Sequence, residues 1–414
     1  MRVFYTIGIY FYTFFIKIAS ISNPKAKKWI DGRTGLFDSL QDFRCSYPDD
    51  KIIWFHCASL GEFEQGRALI EKIRDKQNDY KIVLSFFSPS GYEHRKNYEK
   101  VDFVCYLPSD TPYNAQKFID ILKPEKVFFI KYEYWFNYIN ILWKNNIPLY
   151  IVSAIFRPNQ IFFKKFGFWF GSELKKVSCF FAQNSDTVEL LKSIGIQSAI
   201  LSGDTRFDRV IDIVNNPLSF SALEQLDKNK TLIIGSSWEA DETLISKALN
   251  DIPGLTLIVA PHEVTQNRIN EIKNIFHSKK PILLSQINEA NIKAYELIIV
   301  DSIGKLSSIY QYGFLAYIGG GFGKGIHNIL EAACWGMPII IGPNYKKFHE
   351  AITLMKLGAA FSIKNSDDFV DIVKMLLTNE QQLLSCSKLS KDFVNNQKGV
   401  VDKIYSQVFE NKQT

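Results

Sequence analysis

The sequence is poor in the residues from which disulfides and metal sites are built. It has six cysteines and six histidines in 414 residues, and no two cysteines form a CxxC pair. No cysteine lies at metal-site spacing from a second cysteine or a histidine. Several lie inside apolar runs, as Cys105 does in VDFVCYLP. This pattern predicts buried, reduced thiols in a cytoplasmic protein, because disulfides persist mainly in oxidising compartments.

The short signatures of common nucleotide-binding proteins are also missing. No glycine-rich segment ends in GK[ST], which excludes a P-loop, and the segment GGGFGKG lacks the GxGxxG register of a dinucleotide site. No Asp-x-Asp motif ends a predicted strand, since Asp49-Asp50 lies in a predicted loop. The net charge of +6 suits anionic partners but is too diffuse to indicate nucleic acid, for which no motif is present.

Long apolar runs are rare, and the clearest one is at the N-terminus. It extends from Val3 to Phe15, with Arg2 before it and Lys17 near its end. The run is short for a membrane span of about 20 residues, and no small-x-small cleavage site follows it. The basic segment NPKAKKWIDGR comes next, as is typical of an anchor on the cytoplasmic side. We therefore predict that residues 1–21 dip into or barely span the inner membrane, with the rest of the chain on its cytoplasmic side. A buried N-terminal helix is the alternative.

Strands and helices are predicted to alternate along most of the chain. Apolar runs such as KIIWFHC, KIVLSFF, KVFFI and PLYIVSA form one series, and a second series includes TLIIGSS, LTLIVAP, ELIIVDS and MPIIIGP. Continuous apolar strands between helices indicate parallel sheets covered on both faces. The sequence therefore predicts an α/β protein with two doubly wound, Rossmann-like domains that face a cleft. The predicted segments are the anchor, an N-terminal domain at 22–210, a linker at 211–230, a C-terminal domain at 231–378 and a helical tail at 379–414.

The most informative segment for function is the glycine-rich turn that follows the predicted strand FLAYI. Its glycines allow a ligand to approach the backbone closely, and a helix predicted from about His327 presents free N–H groups to an anion. Glu331 lies one turn into that helix, where its carboxylate is placed to hold a ribose diol. The arrangement indicates a nucleotide site, although many glycine-rich segments are only tight turns.

The run HNILEAACWGMPIIIGPNYKKF resembles the signature of the bacterial 3-deoxy-D-manno-octulosonate (Kdo) transferases. In that family a glycine-rich turn precedes His-Asn, Leu-Glu, Gly-x-Pro and Gly-Pro. Seven other segments are similar to family motifs in the same order: KAKKWIDGRTGLF, ASLGEFEQGRALI, KYEYWFNYI, QNSDTVELLKSIG, GDTRFDRV, GSSWEADE and DSIGKLSSIYQYG. No single motif is unique, and the resemblance depends on their order over nearly the whole chain.

The resemblance implies an inverting glycosyltransferase of the GT-B fold that acts in lipopolysaccharide biosynthesis in Gram-negative cells. Such an enzyme transfers Kdo from CMP-Kdo to the 6'-hydroxyl of a tetraacylated lipid A precursor. Glu62, in the motif SLGE, corresponds to the catalytic base of the family. A carboxylate there takes the proton of the acceptor hydroxyl as it attacks, and a helix start favours its negative charge. Glutamates at helix starts also commonly serve only to offset the helix dipole. Glu64 is the local competitor, but its spacing fits solvent better.

The resemblance also implies a set of donor contacts in the C-terminal half of the chain. CMP is a monophosphate leaving group and no Asp-x-Asp motif is present, so we expect no metal ion and no cofactor beyond the CMP-Kdo substrate. The expected donor contacts are Ser236, Ser237, His262, Asp301, Ser302, Gly320, Gly321, Gly323, Gly325, His327, Asn328 and Glu331.

Two positions depart from the family pattern. Where the family often has Pro-Arg-His, this chain has Pro261, His262 and Glu263, so that either His262 or Arg268 replaces the missing arginine. Where the family often has Gly-Glu-Leu, this chain has Lys305, which either supplies the missing positive charge or is a solvated lysine.

Acceptor contacts are expected in the N-terminal domain. Ser88, Ser90 and Gly91 lie in a turn at a strand end, and Arg157 follows another strand. The segment FFKKFGFWFGSELKK mixes Phe and Trp with four lysines. It either holds acyl chains and lipid phosphates near the membrane or is a partly buried surface helix. The expected partners are the lipid A precursor, CMP-Kdo and inner-membrane phospholipids.

Two other interpretations remain open from the sequence. One is another GT-B nucleotide-sugar enzyme of the envelope, either a UDP-sugar transferase or a UDP-N-acetylglucosamine 2-epimerase. The epimerase has no need of an anchor, so residues 1–20 argue against it. The other is a non-catalytic lipid- or nucleotide-binding module, which predicts ligand binding without turnover.

Overall fold

The structure is a computed structural model in which residues 1–410 are described. The chain forms two compact units. Unit 1 contains Met1–Arg209 and the described part of the segment from Gly399 onwards, and unit 2 contains Val210–Lys398. The last four residues of the predicted tail at 379–414 lie outside the described residues.

Unit 1 is built on a sheet of seven parallel strands. Their order across the sheet is β3-β2-β1-β4-β5-β6-β7, which reverses direction at β1 as in a doubly wound fold. The strands are β1 (Lys51–Cys57), β2 (Tyr80–Phe86), β3 (Phe103–Tyr106), β4 (Lys126–Ile130), β5 (Leu149–Ala154), β6 (Cys179–Ala182) and β7 (Ala199–Leu201).

Helices cover both faces of this sheet. Side chains alternate along each strand, so Trp54 and Phe129 pack in the core on one face while Phe55 and Phe128 pack on the other. The helices are α1 (Arg2–Ala19), α2 (Pro24–Asp31), α3 (Leu36–Ser46), α4 (Leu60–Lys76), α5 (Pro89–Arg95), α6 (Pro112–Leu122), α7 (Phe136–Lys144), α8 (Phe168–Leu174), α9 (Ser185–Ser193) and α10 (Arg206–Asn215).

Unit 2 repeats the same architecture. Its seven parallel strands have the order β10-β11-β9-β8-β12-β13-β14. They are β8 (Thr231–Ser237), β9 (Thr256–Pro261), β10 (Pro281–Leu283), β11 (Leu297–Ile299), β12 (Leu315–Ile318), β13 (Ile339–Ile341) and β14 (Ala360–Ser362). The helices are α11 (Glu239–Ala248), α12 (Gln266–Ile275), α13 (Leu306–Ile309), α14 (Leu330–Ala333), α15 (His349–Leu357), α16 (Ser366–Thr378) and α17 (Glu380–Asn395). The predicted α/β class with two parallel sheets is confirmed.

The predicted linker and tail are divided differently in the structure. Helix α10 continues to Asn215, inside the predicted linker at 211–230, and the Leu218 amide that follows donates to Ser308 Oγ in unit 2 at 3.1 Å. The tail is split between the units, because α17 packs in unit 2 and α18 (Val400–Tyr405) packs in unit 1. Two backbone amides at the start of α18 bind the Asp208 carboxylate at 2.6 Å each.

The N-terminal segment folds as α1 on the surface of unit 1. No residue of α1 is fully buried, so the alternative of a buried N-terminal helix is wrong. Within residues 1–410, no helix combines the length and the apolar character required to span a bilayer.

Candidate active site

Glu62 lies at the start of α4, directly after the end of β1. Ser59 is the N-cap residue of α4, and Glu62 is in the first helical turn. The Ser59 hydroxyl donates to the Glu62 carboxylate. The helix start favours negative charge at this position, and the hydroxyl restricts the half-buried side chain to one orientation.

A second turn from the neighbouring strand β2 lies beside the Glu62 turn. The Ser88 amide donates to the carbonyl of Ala58 at 2.8 Å, and Ala58 precedes Ser59 in the chain. Ser88 also caps α5, with its hydroxyl 3.0 Å from that of Ser90. Gly91 has a packing role, because a β-carbon there would lie 2.2 Å from the Phe86 ring. The structure therefore brings the predicted acceptor residues Ser88 and Ser90 close to Glu62.

Glu64, the competing carboxylate, belongs to an ion-pair network. It lies 2.8 Å from Arg95 and within 4 Å of Arg67 and Arg209. This differs from the solvated position expected for Glu64. Glu62 has a hydroxyl as its hydrogen-bond partner, which leaves it better suited to accept a proton from a ligand.

Charged side chains surround the same edge of the unit 1 sheet. Tyr132 lies two residues after the end of β4, and burial raises the pKa of its phenol. The charges of Arg157 and Arg206 act in the opposite direction on this pKa, and those of Glu62 and Asp204 act in the same direction as burial. Arg206 pairs with Asp204 at 2.8 Å, whereas the Arg157 side chain is exposed.

Backbone strain marks the same edge. Lys131, at the end of β4, has φ 67°, and Ser153, near the end of β5, has φ 54°. Non-glycine residues with positive φ are uncommon and cluster at functional sites. Arg157 was among the residues predicted from the sequence, but Lys131, Tyr132 and Arg206 were not. For Lys131 and Tyr132 the available signal was their position directly after β4, whereas Arg206 begins α10.

A buried polar group lies beneath this edge. His56, inside β1, is fully buried, and its ring nitrogens lie 2.9 Å from Ser85 Oγ and 2.9 Å from the Glu133 carboxylate. Trp135 Nε1 donates to the same carboxylate at 2.7 Å. These bonds satisfy the buried Glu133 carboxylate, which would otherwise be costly to remove from water.

In unit 2, the glycine-rich turn follows β12. The Gly320 amide donates to the Asp241 carboxylate at 2.9 Å. A β-carbon on Gly319 would lie 2.4 Å from the Ser236 carbonyl oxygen, and one on Gly321 would lie 2.6 Å from the Gly342 backbone. These glycines are required by close backbone packing.

Two other glycines of the turn have different surroundings. A β-carbon on Gly323 would have no neighbour closer than 3.6 Å. Gly325 has φ 143°, and a β-carbon there would lie 2.9 Å from the Phe348 ring. Within this turn, the absence of a side chain at Gly323 is not explained by packing.

The helix expected from about His327 is shorter than predicted. It begins at Leu330 and is the four-residue α14, so it does not provide the expected helix N-terminus for an anion. The Asn328 side chain bonds to the first turn of this helix: its Oδ1 accepts from the Leu330 amide at 3.2 Å, and its Nδ2 donates to Glu331 at 2.9 Å. The predicted donor residues Asn328 and Glu331 are therefore in direct contact.

Three aromatic rings stack at the carboxyl ends of β8, β9 and β12. The His262 ring lies 4.8 Å from the Trp238 ring and 4.2 Å from the His327 ring, measured between centroids. Trp238 Nε1 donates to His327 Nε2 at 3.0 Å. Burial, with a smaller contribution from His262, lowers the pKa of His327 to about 4. Trp238 was not among the donor contacts predicted from the sequence.

Arg268, one of the two candidates to replace the missing family arginine, already forms ion pairs within unit 2. Arg268 forms an ion pair with the fully buried Glu242 and another with Glu271 at 2.8 Å. Ser237 Oγ donates to the same Glu242 at 2.6 Å. Of the two candidates, His262 is the one that the structure places beside the glycine-rich turn, through its contact with His327.

Asp301 and Ser302 follow β11, which is separated in the sheet order by β9 and β8 from β12, the strand before the glycine-rich turn. The Asp301 carboxylate accepts hydrogen bonds from the backbone and hydroxyl of Ser285. Ser302 Oγ is buried and has no hydrogen-bond partner among the described residues. The described contacts link Asp301 to Ser285 and do not link it to the stack of rings.

Comparisons with known proteins show similarity to one family. Residues 30–209 match the family of 3-deoxy-D-manno-octulosonic-acid transferases (kdotransferases). A 3-deoxy-D-manno-octulosonic acid transferase from Aquifex aeolicus is 26% identical over 340 residues, covering 80% of this chain and 87% of the relative. The same-named enzymes of Rickettsia prowazekii and Haemophilus influenzae are 27% and 24% identical, covering 85% and 89% of this chain and 78% and 87% of those relatives. The chain is therefore similar to Kdo transferases over most of its length.

Solved structures support the GT-B fold. A UDP-GlcNAc 2-epimerase from Neisseria meningitidis has a TM-score of 0.61 at 13% identity, covering 87% of this chain and all of that chain. MurG from Acinetobacter baumannii has a TM-score of 0.55 at 14% identity, covering 86% and 99%. At such identities the likeness concerns the fold.

Because the matching family model and the relatives that align over most of the chain are Kdo transferases, the chain is a glycosyltransferase, and the alternative of a non-catalytic module is discarded. The family match lies within unit 1 and contains Glu62, Ser88 and Arg157. The three named relatives align over more residues than unit 1 contains, so they extend into unit 2. Among residues 1–410, no group of three or more His, Cys, Asp or Glu side chains is arranged to hold a metal ion.

Proposed function

We propose that this transferase moves Kdo from CMP-Kdo to the 6'-hydroxyl of a tetraacylated lipid A precursor, lipid IVA, with inversion at the anomeric carbon and without a metal ion. The observation that carries the proposal is the position of Glu62, which lies at a helix start, has a hydroxyl as its hydrogen-bond partner, and adjoins the Ser88 turn. The choice of Kdo as the transferred sugar follows from the names of the relatives.

In this proposal Glu62 is the general base. It takes the proton of the acceptor hydroxyl while that oxygen forms a bond to the anomeric carbon of Kdo. The bond from this carbon to the phosphate oxygen breaks, and CMP leaves with the electron pair. The Ser59 hydroxyl orients the carboxylate before the acceptor binds. Ser88, Ser90 and Arg157 hold the acceptor sugar and its anionic groups.

Unit 2 binds the donor in this proposal. The open position at Gly323 admits the nucleotide close to the backbone, while His262 and His327 face its phosphate and Glu331 holds the ribose. The unpartnered Ser302 hydroxyl is available for a further contact.

We also propose that unit 1 binds the cytoplasmic side of the inner membrane through α1. This helix directs polar groups towards the protein, since Arg2 forms an ion pair with Glu173 at 2.7 Å. Its outward side chains are apolar and exposed, including Phe4, Phe11 and Phe15. A helix with its apolar face turned outwards is suited to lie in the bilayer interface. Exposed lysines that follow it suit anionic phospholipids.

The test is Kdo transfer from CMP-Kdo to lipid IVA by purified protein in the presence of a chelator. We expect Glu62→Gln to lower kcat by about 100- to 10,000-fold, because an amide cannot accept the proton. Glu64→Gln is the matched control, two residues away on the same helix, and it should retain most of the activity. Product mass counts the sugars transferred.

Each result of this assay has a distinct consequence. Turnover that survives Glu62→Gln in full would reject this residue as the base. Loss of turnover with chelator, restored by a divalent cation, would reject metal independence. Absence of Kdo transfer by folded wild type, with transfer from a UDP-sugar instead, would reject the donor.

A further inference from the structure

Unit 1 contains a cavity of about 500 Å³ to which no role has been assigned above. Its walls come from α1, from the turns after β1, β2 and β4, and from the segment that precedes α8. The lining residues include Tyr5, Ile9, Ala58, Phe87, Trp135 and Phe162. A volume of this order suits one small ligand.

The chemistry of the walls favours an apolar ligand. Aromatic rings and aliphatic side chains form most of the lining, and the Glu133 carboxylate in the wall is occupied by His56 and Trp135. The hydroxyl of Tyr134, another lining residue, is buried and has no partner among the described residues. An apolar chain is able to fill such a cavity without leaving new polar groups unsatisfied.

The cavity adjoins the residues that activate the acceptor. Ala58 lines it and is followed directly by Ser59, the residue that orients Glu62. Phe87 lines it and is followed directly by Ser88. A ligand in the cavity therefore lies next to the two turns that the proposed function assigns to the acceptor.

The other side of the cavity adjoins exposed apolar surface. Tyr5 and Ile9 are on the inward side of α1, whose outward side chains are exposed and apolar. The opposite wall contains Ile161, and the exposed rings of Phe166 and Phe168 follow it in the chain. The cavity therefore lies between two segments that both carry exposed apolar side chains.

We propose that this cavity binds one fatty acyl chain of the acceptor and thereby brings the acceptor sugar to Glu62. The proposal rests on the proposed function, because it requires the acceptor to be a lipid. It adds a specificity element: the enzyme recognises one acyl chain inside the protein, in addition to any contact between the remaining chains and the membrane.

The test fills the cavity with a larger side chain. Ile9→Trp places an indole on the inward side of α1, and Ile7→Trp places one on the outward, exposed side of the same helix. For each variant, kcat/KM is measured with the tetraacylated acceptor and with its fully deacylated counterpart. The quantity compared is kcat/KM for the tetraacylated acceptor divided by kcat/KM for the deacylated one. We expect Ile9→Trp to lower this ratio by about tenfold or more, as a mismatched apolar pocket does. Ile7→Trp should leave the ratio unchanged.

A binding measurement separates this proposal from the proposed function. A stearate with a doxyl spin label is added to the full-length protein below the concentration at which the stearate aggregates, and its immobilised fraction is measured by electron paramagnetic resonance. Circular dichroism melting confirms that both variants are folded. We expect immobilisation by wild type and Ile7→Trp, with a several-fold smaller immobilised fraction in Ile9→Trp.

The outcomes are distinguishable. Equal immobilisation in both variants, or an unchanged acyl preference in Ile9→Trp, would overturn the cavity proposal while leaving Kdo transfer intact. Immobilisation that depends on Ile9 in a protein without Kdo transfer would support the cavity and reject the proposed function.

Discussion

Single glycines in the turn after β12 differ in what surrounds them, and this difference separates a packing role from a ligand role. Gly321→Ala should lower the free energy of unfolding by about 1–3 kcal/mol, because its β-carbon would meet the Gly342 backbone at 2.6 Å. Gly323→Ala should leave stability almost unchanged, since its β-carbon has room.

Urea denaturation and donor KM are measured for both variants. If the nucleotide approaches Gly323, its alanine variant raises the KM for CMP-Kdo at unchanged stability. An unchanged KM in a stable Gly323→Ala protein would remove this residue from the donor site.

The stability of the protein should depend on pH through His327. Its pKa is lowered to about 4, below the ordinary value of about 6.5. Between these values the unfolded chain binds more protons than the folded one, so stability rises with pH across this window and is lost as pH falls. Protonation of Nε2 also removes the acceptor of the Trp238 hydrogen bond.

Thermal melting of wild type and His327→Gln at pH 4.5, 5.5 and 7 measures this effect. The advantage of wild type over the variant should shrink as the pH falls from 7 to 4.5. A difference that is constant over this range would show that His327 does not titrate between the two pKa values.

At the level of elements, a buried ion pair between Glu242 and Arg268 joins α11 and α12. Arg268→Met should destabilise the protein by about 3–5 kcal/mol, because it leaves the Glu242 carboxylate buried without a cation. Glu271→Gln is the control, since it removes only the exposed partner of Arg268 and should cost less than about 1 kcal/mol. Urea denaturation of both variants checks the contrast, and equal losses would contradict it.

Strands with fully buried apolar runs were predictable, whatever their length. The runs KIIWFHC and TLIIGSS mark the interior strands β1 and β8, and ELIIVDS and MPIIIGP mark the three-residue strands β11 and β13. The edge strands β7 and β14 are also three residues long, but they are only partly buried and show no continuous apolar run. The helix predicted from about His327 begins at Leu330.

The local position of a candidate site residue was predictable where it depends on one turn, and contacts that depend on strand pairing were not predictable. Glu62 lies in a local motif at a helix start. His56 and Glu133 are 77 residues apart and meet only because β1 pairs with β4. The stack of Trp238 and His262 likewise requires neighbouring strand ends, which no local pattern reveals.

For the whole molecule, attachment to a membrane should depend on the exposed apolar side of α1. Phe11→Ser/Phe15→Ser removes two exposed rings from it, and Leu377→Ser/Leu384→Ser removes two exposed leucines from unit 2 as the control. A buried phenylalanine contributes about 1.5–3 kcal/mol, so the first double variant should bind vesicles at least about 100-fold more weakly.

Flotation of the full-length protein with vesicles of phosphatidylethanolamine and phosphatidylglycerol measures this binding. Higher salt should weaken the binding of wild type further, because Lys25, Lys27 and Lys28 are exposed beside α1 and attract anionic headgroups. Equal flotation of the two double variants would place the membrane contact elsewhere on the molecule. Retained transfer to a detergent-solubilised acceptor by the α1 variant would show that α1 supplies attachment while the Glu62 turn performs the chemistry.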